Sequence, residues 1–280
     1  MTLITPQPGI MEIALYQGGK SKIAGRDDVL KLSSNENPLG VPPGAQAAIV
    51  AAAGQVHLYP STDHAALRGA IGAVHGLDPE RIICGVGSDE VLQFVTQAYA
   101  GPGDEIIHTE HGFSMYPVLT HMTGATPVRV PEAGRRVDVD AILDAVTVRT
   151  RVVLLTNPGN PTGTLLADEE LLRLADGLPE RVILVIDAAY AEYAESYDGG
   201  AALAAVQDLA AFVGASEFAV LGPQGVEGLR ALLSATSRCS DAVGTALDAL
   251  GALCDHKMGG LRDEHAKLVA LAADSGRAHR

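Results

Sequence analysis

The sequence predicts an α/β fold, a mostly parallel sheet flanked by helices, with a largely helical tail after it. Two observations carry this. Short apolar runs rich in Val and Ile alternate with segments of helical period as far as residue 207, which is the signature of a sheet covered on both faces. Polar turn motifs then fall directly after the apolar runs, at the carboxyl ends of strands, where such sheets bind ligands.

Taken in order, residues 1–42 read as an N-terminal arm. Gly18-Gly19-Lys20 and Ser33-Ser34-Asn35-Glu36-Asn37-Pro38-Leu39-Gly40 are turn-rich pieces on either side of Val29-Leu30. Residues 43–207 form the large domain. Ala45 to Gly54 is alanine-rich and helical, and Asp63 to Val74 places apolar residues at 66, 67, 71 and 74, a helical period. Ile82 to Val86 is a brief strand, stopped by Gly87-Ser88-Asp89-Glu90, and Val91 to Tyr99 is a helix that Ser88 or Asp89 could cap. Glu105 to His108, Thr126 to Val130, Thr150 to Thr156 and Val182 to Ile186 read as strands. Pro117 to Thr123, Val139 to Val146 and Ala167 to Leu178 read as helices between them. Residues 208–280 form the tail. From Val226 to Cys254 apolar residues recur at helical spacing, Glu264 to Ala273 is a last helical piece, and no strong strand is visible.

Composition narrows the function. A formal net charge of -14 and a pI near 4.9 exclude a nucleic-acid backbone as partner, because that needs a basic face. No run approaches the roughly 20 apolar residues of a membrane span, and the first residues carry no basic and apolar leader pattern, so a cytoplasmic location is expected. Cys84, Cys239 and Cys254 are odd in number and far apart, as buried free thiols in a reducing compartment would be. The histidines form no ligand set, so no metal is expected.

The most informative stretch is Arg181 to Tyr190, an apolar strand ending in Asp187. A buried carboxylate needs a partner, and a protonated pyridine nitrogen is one. Tyr190 follows three residues later, and Asn160 stands in the turn Asn157-Pro158-Gly159-Asn160-Pro161-Thr162-Gly163, where two prolines fix the backbone. Both can reach a phenolic oxygen beside that ring. The set suits pyridoxal phosphate, whose chemistry depends on a protonated pyridine. Gly87-Ser88-Asp89-Glu90, between a strand and a helix, offers backbone N–H groups to a phosphate or is an ordinary capping turn. Phe113 can stack on a flat ring or plug the core.

Together, Ser33–Gly40, Tyr59-Pro60, Gly87–Glu90, His111–Tyr116, Asn157–Gly163 and Asp187-Ala188-Ala189-Tyr190 resemble the histidinol-phosphate aminotransferases, fold-type I pyridoxal-phosphate enzymes of histidine biosynthesis, over about residues 5–207. The resemblance implies a homodimer that takes a small amino donor and a 2-oxo acid. It implies pyridoxal 5'-phosphate held by the Ser88 and Asp89 amides, with Phe113 on the ring, Asp187 on the pyridine nitrogen, and Asn160 and Tyr190 on the phenolic oxygen. It further implies that Tyr59 reaches the partner subunit's cofactor phosphate, and that Tyr16, Asn35 and Asn37 lie near substrate.

In the family a Ser-Lys pair follows the strand-end aspartate by about thirty residues, and its lysine forms the Schiff base. Here that place reads Gly214-Ala215-Ser216-Glu217, and no lysine stands between Lys31 and Lys257. A carboxylate cannot replace the amine, so Lys257 is the candidate catalytic residue if the tail returns to the pocket. The expectation is that the base is missing. The alternative to an aminotransferase is then a non-catalytic, cofactor-binding or regulatory remnant of the fold.

Overall fold

A computed structural model describes residues 6, 9–14, 24–25, 34–37, 39–194, 211–214 and 218–221. Among the described residues the six α-helices are α1 (Pro43–Ala52), α2 (Ala65–His75), α3 (Ser88–Tyr99), α4 (Met115–Thr123), α5 (Val139–Asp144) and α6 (Asp168–Gly177). The strands are β1 (Ile82–Cys84), β2 (Glu105–Thr109), β3 (Thr126–Val130), β4 (Thr150–Thr156), β5 (Ile183–Ala188), β6 (Ala211–Gly214) and β7 (Phe218–Leu221). They form one sheet in the order β1-β7-β6-β5-β4-β2-β3, parallel except for β7, which runs antiparallel to both neighbours.

The strands read as continuous apolar runs because both faces are covered. On one face Ile82, Cys84, Ile107, Val153, Leu155, Leu184 and Ile186 pack with Leu67 and Ile71 of α2, Ile142 of α5 and Leu171 and Leu174 of α6. On the other, Ile83, Ile106, Val152, Leu154 and Val185 meet Val91, Leu92 and Val95 of α3 and Tyr116 and Leu119 of α4. Alternate residues of each strand thus serve opposite cores, as the two-residue period of a strand requires. The helix ends follow local chemistry. Gly76 and Gly124 close α2 and α4 in left-handed conformation, and Asp138 caps α5 by accepting from Ala141 N–H. Three acidic residues fill the first turn of α6.

Two expectations need correction. Neither Ser88 nor Asp89 caps α3. Both lie within its first turn, Gly87 is the cap residue at φ 93°, and no side chain bonds the free amides there. Beyond residue 207, where no strong strand is visible in the sequence, the described residues are two strands of the main sheet, β6 and β7. Each is four residues long, too short for periodicity to register, and pairing between β5 and β1 determines their state. The helical pieces expected from Val226 onward lie outside the described residues, as does most of the arm.

Candidate active site

The parallel register sets Thr156 of β4 beside Asp187 of β5 at the carboxyl edge of the sheet. Asp187 is only 4% exposed. One carboxylate oxygen accepts from Tyr116 Oη at 3.1 Å and the other from Ala189 N–H at 3.2 Å. Burial pushes the carboxyl up to about 6, against the lowering effect of these two donors, and the charge of Asp89 adds to the rise. Among the described residues no lysine, arginine or histidine forms an ion pair with Asp187. A buried carboxylate with two neutral donors and no cation is an incomplete pair.

Tyr116 is wholly buried on the first turn of α4, with its hydroxyl 2.6 Å from Thr156 Oγ1. Burial and the neighbouring Asp187 raise its phenol well above the ordinary tyrosine value, so it stays a donor. The Phe113 ring meets the Tyr116 ring edge-on, centroids 5.7 Å apart, in the loop that leads from β2 into α4. Asp89, exposed at the start of α3, has a carboxyl raised by partial burial, and it acts electrostatically on both Tyr116 and Asp187. Asp89, Phe113 and Asp187 therefore all border Tyr116, and Ser88 precedes Asp89 on α3.

Asn160 is half-buried in its turn, and the residue that fixes the turn is Asn157. Asn157 is 1% exposed. Its side chain pairs both ways with the Leu166 backbone, donating to the carbonyl at 3.2 Å and accepting the N–H at 2.9 Å. Its own N–H donates to the Asp187 carbonyl at 2.9 Å. One buried asparagine thus closes the turn and anchors it to the strand that carries Asp187.

Tyr190, just past β5, accepts a hydrogen bond from Asn35 Nδ2 at 2.6 Å. Asn35 adopts a positive φ of 51°, a conformation asparagine tolerates better than most residues. A predicted substrate residue and a predicted cofactor residue therefore touch. Asn37 instead holds its own turn, accepting from Leu39 N–H at 2.9 Å. Tyr59 is 81% exposed, between α1 and α2. Tyr16 and Lys257 lie outside the described residues, as do Ser216 and Glu217.

Sequence reasoning passed over Tyr116, Thr156 and Asn157. The signals are present but local: Tyr116 stands one helical turn from Phe113, and Thr156 and Asn157 end the strand next to that of Asp187. The pattern becomes readable once strand order is known.

The geometry fits pyridoxal phosphate. Among the described residues Asp187 has no cationic partner, and the first-turn amides of α3 carry no side-chain cap and are open to an anion.

The chain is similar to known aminotransferases in sequence and in fold. The family model for aminotransferase class I and II matches residues 27–222. The histidinol-phosphate aminotransferase of Ruegeria pomeroyi is 70% identical over 208 residues, 74% of this chain and 58% of that protein. That of Dinoroseobacter shibae is 66% identical over 203 residues, 72% of this chain and 56% of that protein. The chain thus spans a little over half the length of the curated relatives it matches. Among solved structures, histidinol-phosphate aminotransferase from Sinorhizobium meliloti in complex with pyridoxal-5'-phosphate has the same fold. Its TM-score is 0.70 at 24% identity, over 87% of this chain and 70% of that one. N-succinyldiaminopimelate aminotransferase from Mycobacterium tuberculosis gives 0.64 at 27%, over 84% and 70%. With a seven-stranded sheet that brings a buried aspartate to its carboxyl edge, and a family match across the whole of the large domain, this chain belongs to the aminotransferase class I and II family.

Proposed function

We propose that the chain carries the cofactor pocket of a pyridoxal-phosphate-dependent aminotransferase of the histidinol-phosphate type. Its reaction moves an amino group between a phosphorylated amino alcohol and a 2-oxo acid in cytoplasmic histidine biosynthesis. The carrying observation is the buried Asp187 carboxylate, which has no cationic partner among the described residues. Pyridoxal phosphate, when bound, supplies an electron sink. Asp187 holds the proton on the pyridine nitrogen, and Tyr116 and Ala189 N–H hold Asp187. The amides at Ser88 and Asp89 would hold the phosphate, and Phe113 would pack on the ring. Asn160 and Tyr190 orient the phenolic oxygen, while Asn35, bonded to Tyr190, brings the arm over the substrate side with Asn37 and Tyr16. Tyr59 completes the partner subunit's site in a homodimer.

Ser216-Glu217 favours a second reading, cofactor binding without turnover, because the family's lysine would stand where Glu217 does. Borohydride treatment of the cofactor-loaded chain, followed by peptide mass spectrometry, decides between them. A modified peptide containing Lys257 supports transamination. Reversible binding that Asp187→Ala abolishes, with no lysine modified, supports binding alone. Failure of the parent chain to bind the cofactor sinks both.

A further inference from the structure

Outside the pocket, residues 131–136 form a small hairpin to which the site as described gives no task. Ala133 and Arg136 exchange backbone hydrogen bonds at 3.0 and 3.2 Å. The two residues between them, Gly134 and Arg135, have φ of 60° and 65°. Positive φ at both central positions makes a tight, twisted turn. Glycine takes it freely, but Arg135 does so at a cost in strain. Each side of the hairpin grips a different loop of the pocket.

On one side Glu132, whose side chain is 3% exposed, clamps His111 twice: one oxygen accepts the His111 N–H at 3.2 Å, and the other lies 2.9 Å from His111 Nδ1. Two residues on is Phe113. Gly112 between them has no spare room, since a Cβ there would lie 3.0 Å from Thr109 Oγ1 and 3.3 Å from the Thr109 carbonyl. A displacement of His111 therefore passes on to Phe113. On the other side the Arg136 guanidinium donates to the Leu165 carbonyl at 3.0 Å, and Thr164 Oγ1 donates to the Arg135 carbonyl at 3.4 Å. Thr164 accepts the Gly159 N–H at 2.7 Å across the turn that presents Asn160.

We infer that the 131–136 hairpin is a brace that fixes the Phe113 loop and the Asn160 turn relative to each other, with Glu132 and Arg136 as its positioning residues. That these two loops hold pyridoxal phosphate rests on the function proposed above; the brace itself rests on the contacts. A ring gripped on one face by Phe113 and at its phenolic edge by Asn160 needs both at fixed separation. At the sheet edge the two loops are linked through Tyr116 Oη and Thr156 Oγ1, and the hairpin adds a second link between them on the outer side.

Hydrogen exchange on the full chain without cofactor tests the brace, using Glu132→Ala, Glu132→Gln and Arg136→Ala. In Glu132→Ala, exchange at His111 and Gly112 should quicken at least about tenfold, and exchange at Gly159 and Gly163 should quicken with it. Glu132→Gln keeps an acceptor for His111 N–H and should fall between. Arg136→Ala should quicken Gly159 and Gly163. Glu110→Gln, which breaks the adjacent surface pair with Arg129, should leave all four amides unchanged. Quickening confined to His111 and Gly112 in Glu132→Ala, or equal quickening in Glu110→Gln, overturns the brace. With pyridoxal phosphate added, Glu132→Ala should raise Kd about tenfold and change the circular dichroism induced in the bound cofactor. An unaltered Kd and induced signal would refute the positioning role. If the parent binds no cofactor but shows the expected exchange pattern, the brace stands and the cofactor reading fails.

Discussion

Asp187 is a residue whose surroundings oppose its charge. Its folded pKa is pushed up to about 6, while in the unfolded chain it is about 4. Below about pH 4 both states are neutral and the group contributes nothing. As pH rises from 4 to 6 the unfolded chain ionises first, so stability falls, and above 6 the whole penalty, roughly 3 kcal/mol, is present. Asp187→Asn, compared with the parent at each pH in urea melts without cofactor, should be stabilising by about 1–3 kcal/mol at pH 8 and neutral at pH 4. The same substitution should cost roughly 3–5 kcal/mol in pyridoxal-phosphate affinity, the range for breaking a buried ion pair. A gain in stability matched by a loss in binding marks a group kept for function. Equal melts at pH 8 would mean that burial does not hold the carboxylate high. Tyr116→Phe removes a donor that lowers the Asp187 pKa, so it should carry the falling limb above pH 6 and cost about 1–2 kcal/mol at pH 8. Unchanged pH dependence in Tyr116→Phe would show that the 3.1 Å contact does not bear on the carboxylate.

At the scale of elements the sequence is legible where long patterns exist. Thr150–Thr156 is read to the residue, and every α-helix and strand between Pro43 and Ala188 is found to within a few residues. It fails where pairing decides, at four-residue β6 and β7, and where a conformation replaces a side chain, as at Gly87 before α3. The candidate site follows the same division. Asp187, Asn160 and Tyr190 stand out from their place after strands, whereas Tyr116, Thr156 and Asn157 acquire meaning only through strand order. The Asn160 turn shows how an element's shape depends on a small residue. A Cβ on Gly159 would collide with Thr162 Oγ1 and lie 3.1 Å from Thr164 Oγ1 and 3.3 Å from the Thr164 carbonyl. Gly159→Ala should therefore push the turn open and cost about 1–3 kcal/mol, the range for overpacking. Because Asn157 and the hairpin hold the turn's ends, the loss should appear in pyridoxal-phosphate affinity as well as in the melt. A melt within about 0.5 kcal/mol of the parent, the scatter of ordinary surface substitutions, would show the turn to be loose.

At the scale of the whole molecule, several apolar side chains around α1 are left exposed. Val41, Val50, Val56, Leu58 and Tyr59 are all more than half exposed, from the end of the arm through α1 to the loop before α2. Single exposed apolar residues are ordinary, but five of them within nineteen residues fit an interaction surface. A symmetric dimer buries the same patch on both subunits, and the family resemblance carries Tyr59 across that interface into the partner's pocket. Mixing two defective chains tests this without any assumption about turnover. One chain carries Tyr59→Ala and the other Asp187→Ala, each expected to bind pyridoxal phosphate weakly as its own homodimer. If Tyr59 serves the partner, a mixed dimer has one pocket with Asp187 and a donated Tyr59 intact, and one pocket with neither. After unfolding and refolding an equal mixture, about a quarter of all pockets should regain parental affinity, because half the dimers are mixed and each has one whole site. If Tyr59 serves its own pocket, every pocket in the mixture keeps exactly one defect and no high-affinity fraction appears. Titration of the refolded mixture, with sedimentation to establish the dimer, separates these outcomes. A monomer that binds the cofactor at parental strength would dismiss the shared site altogether.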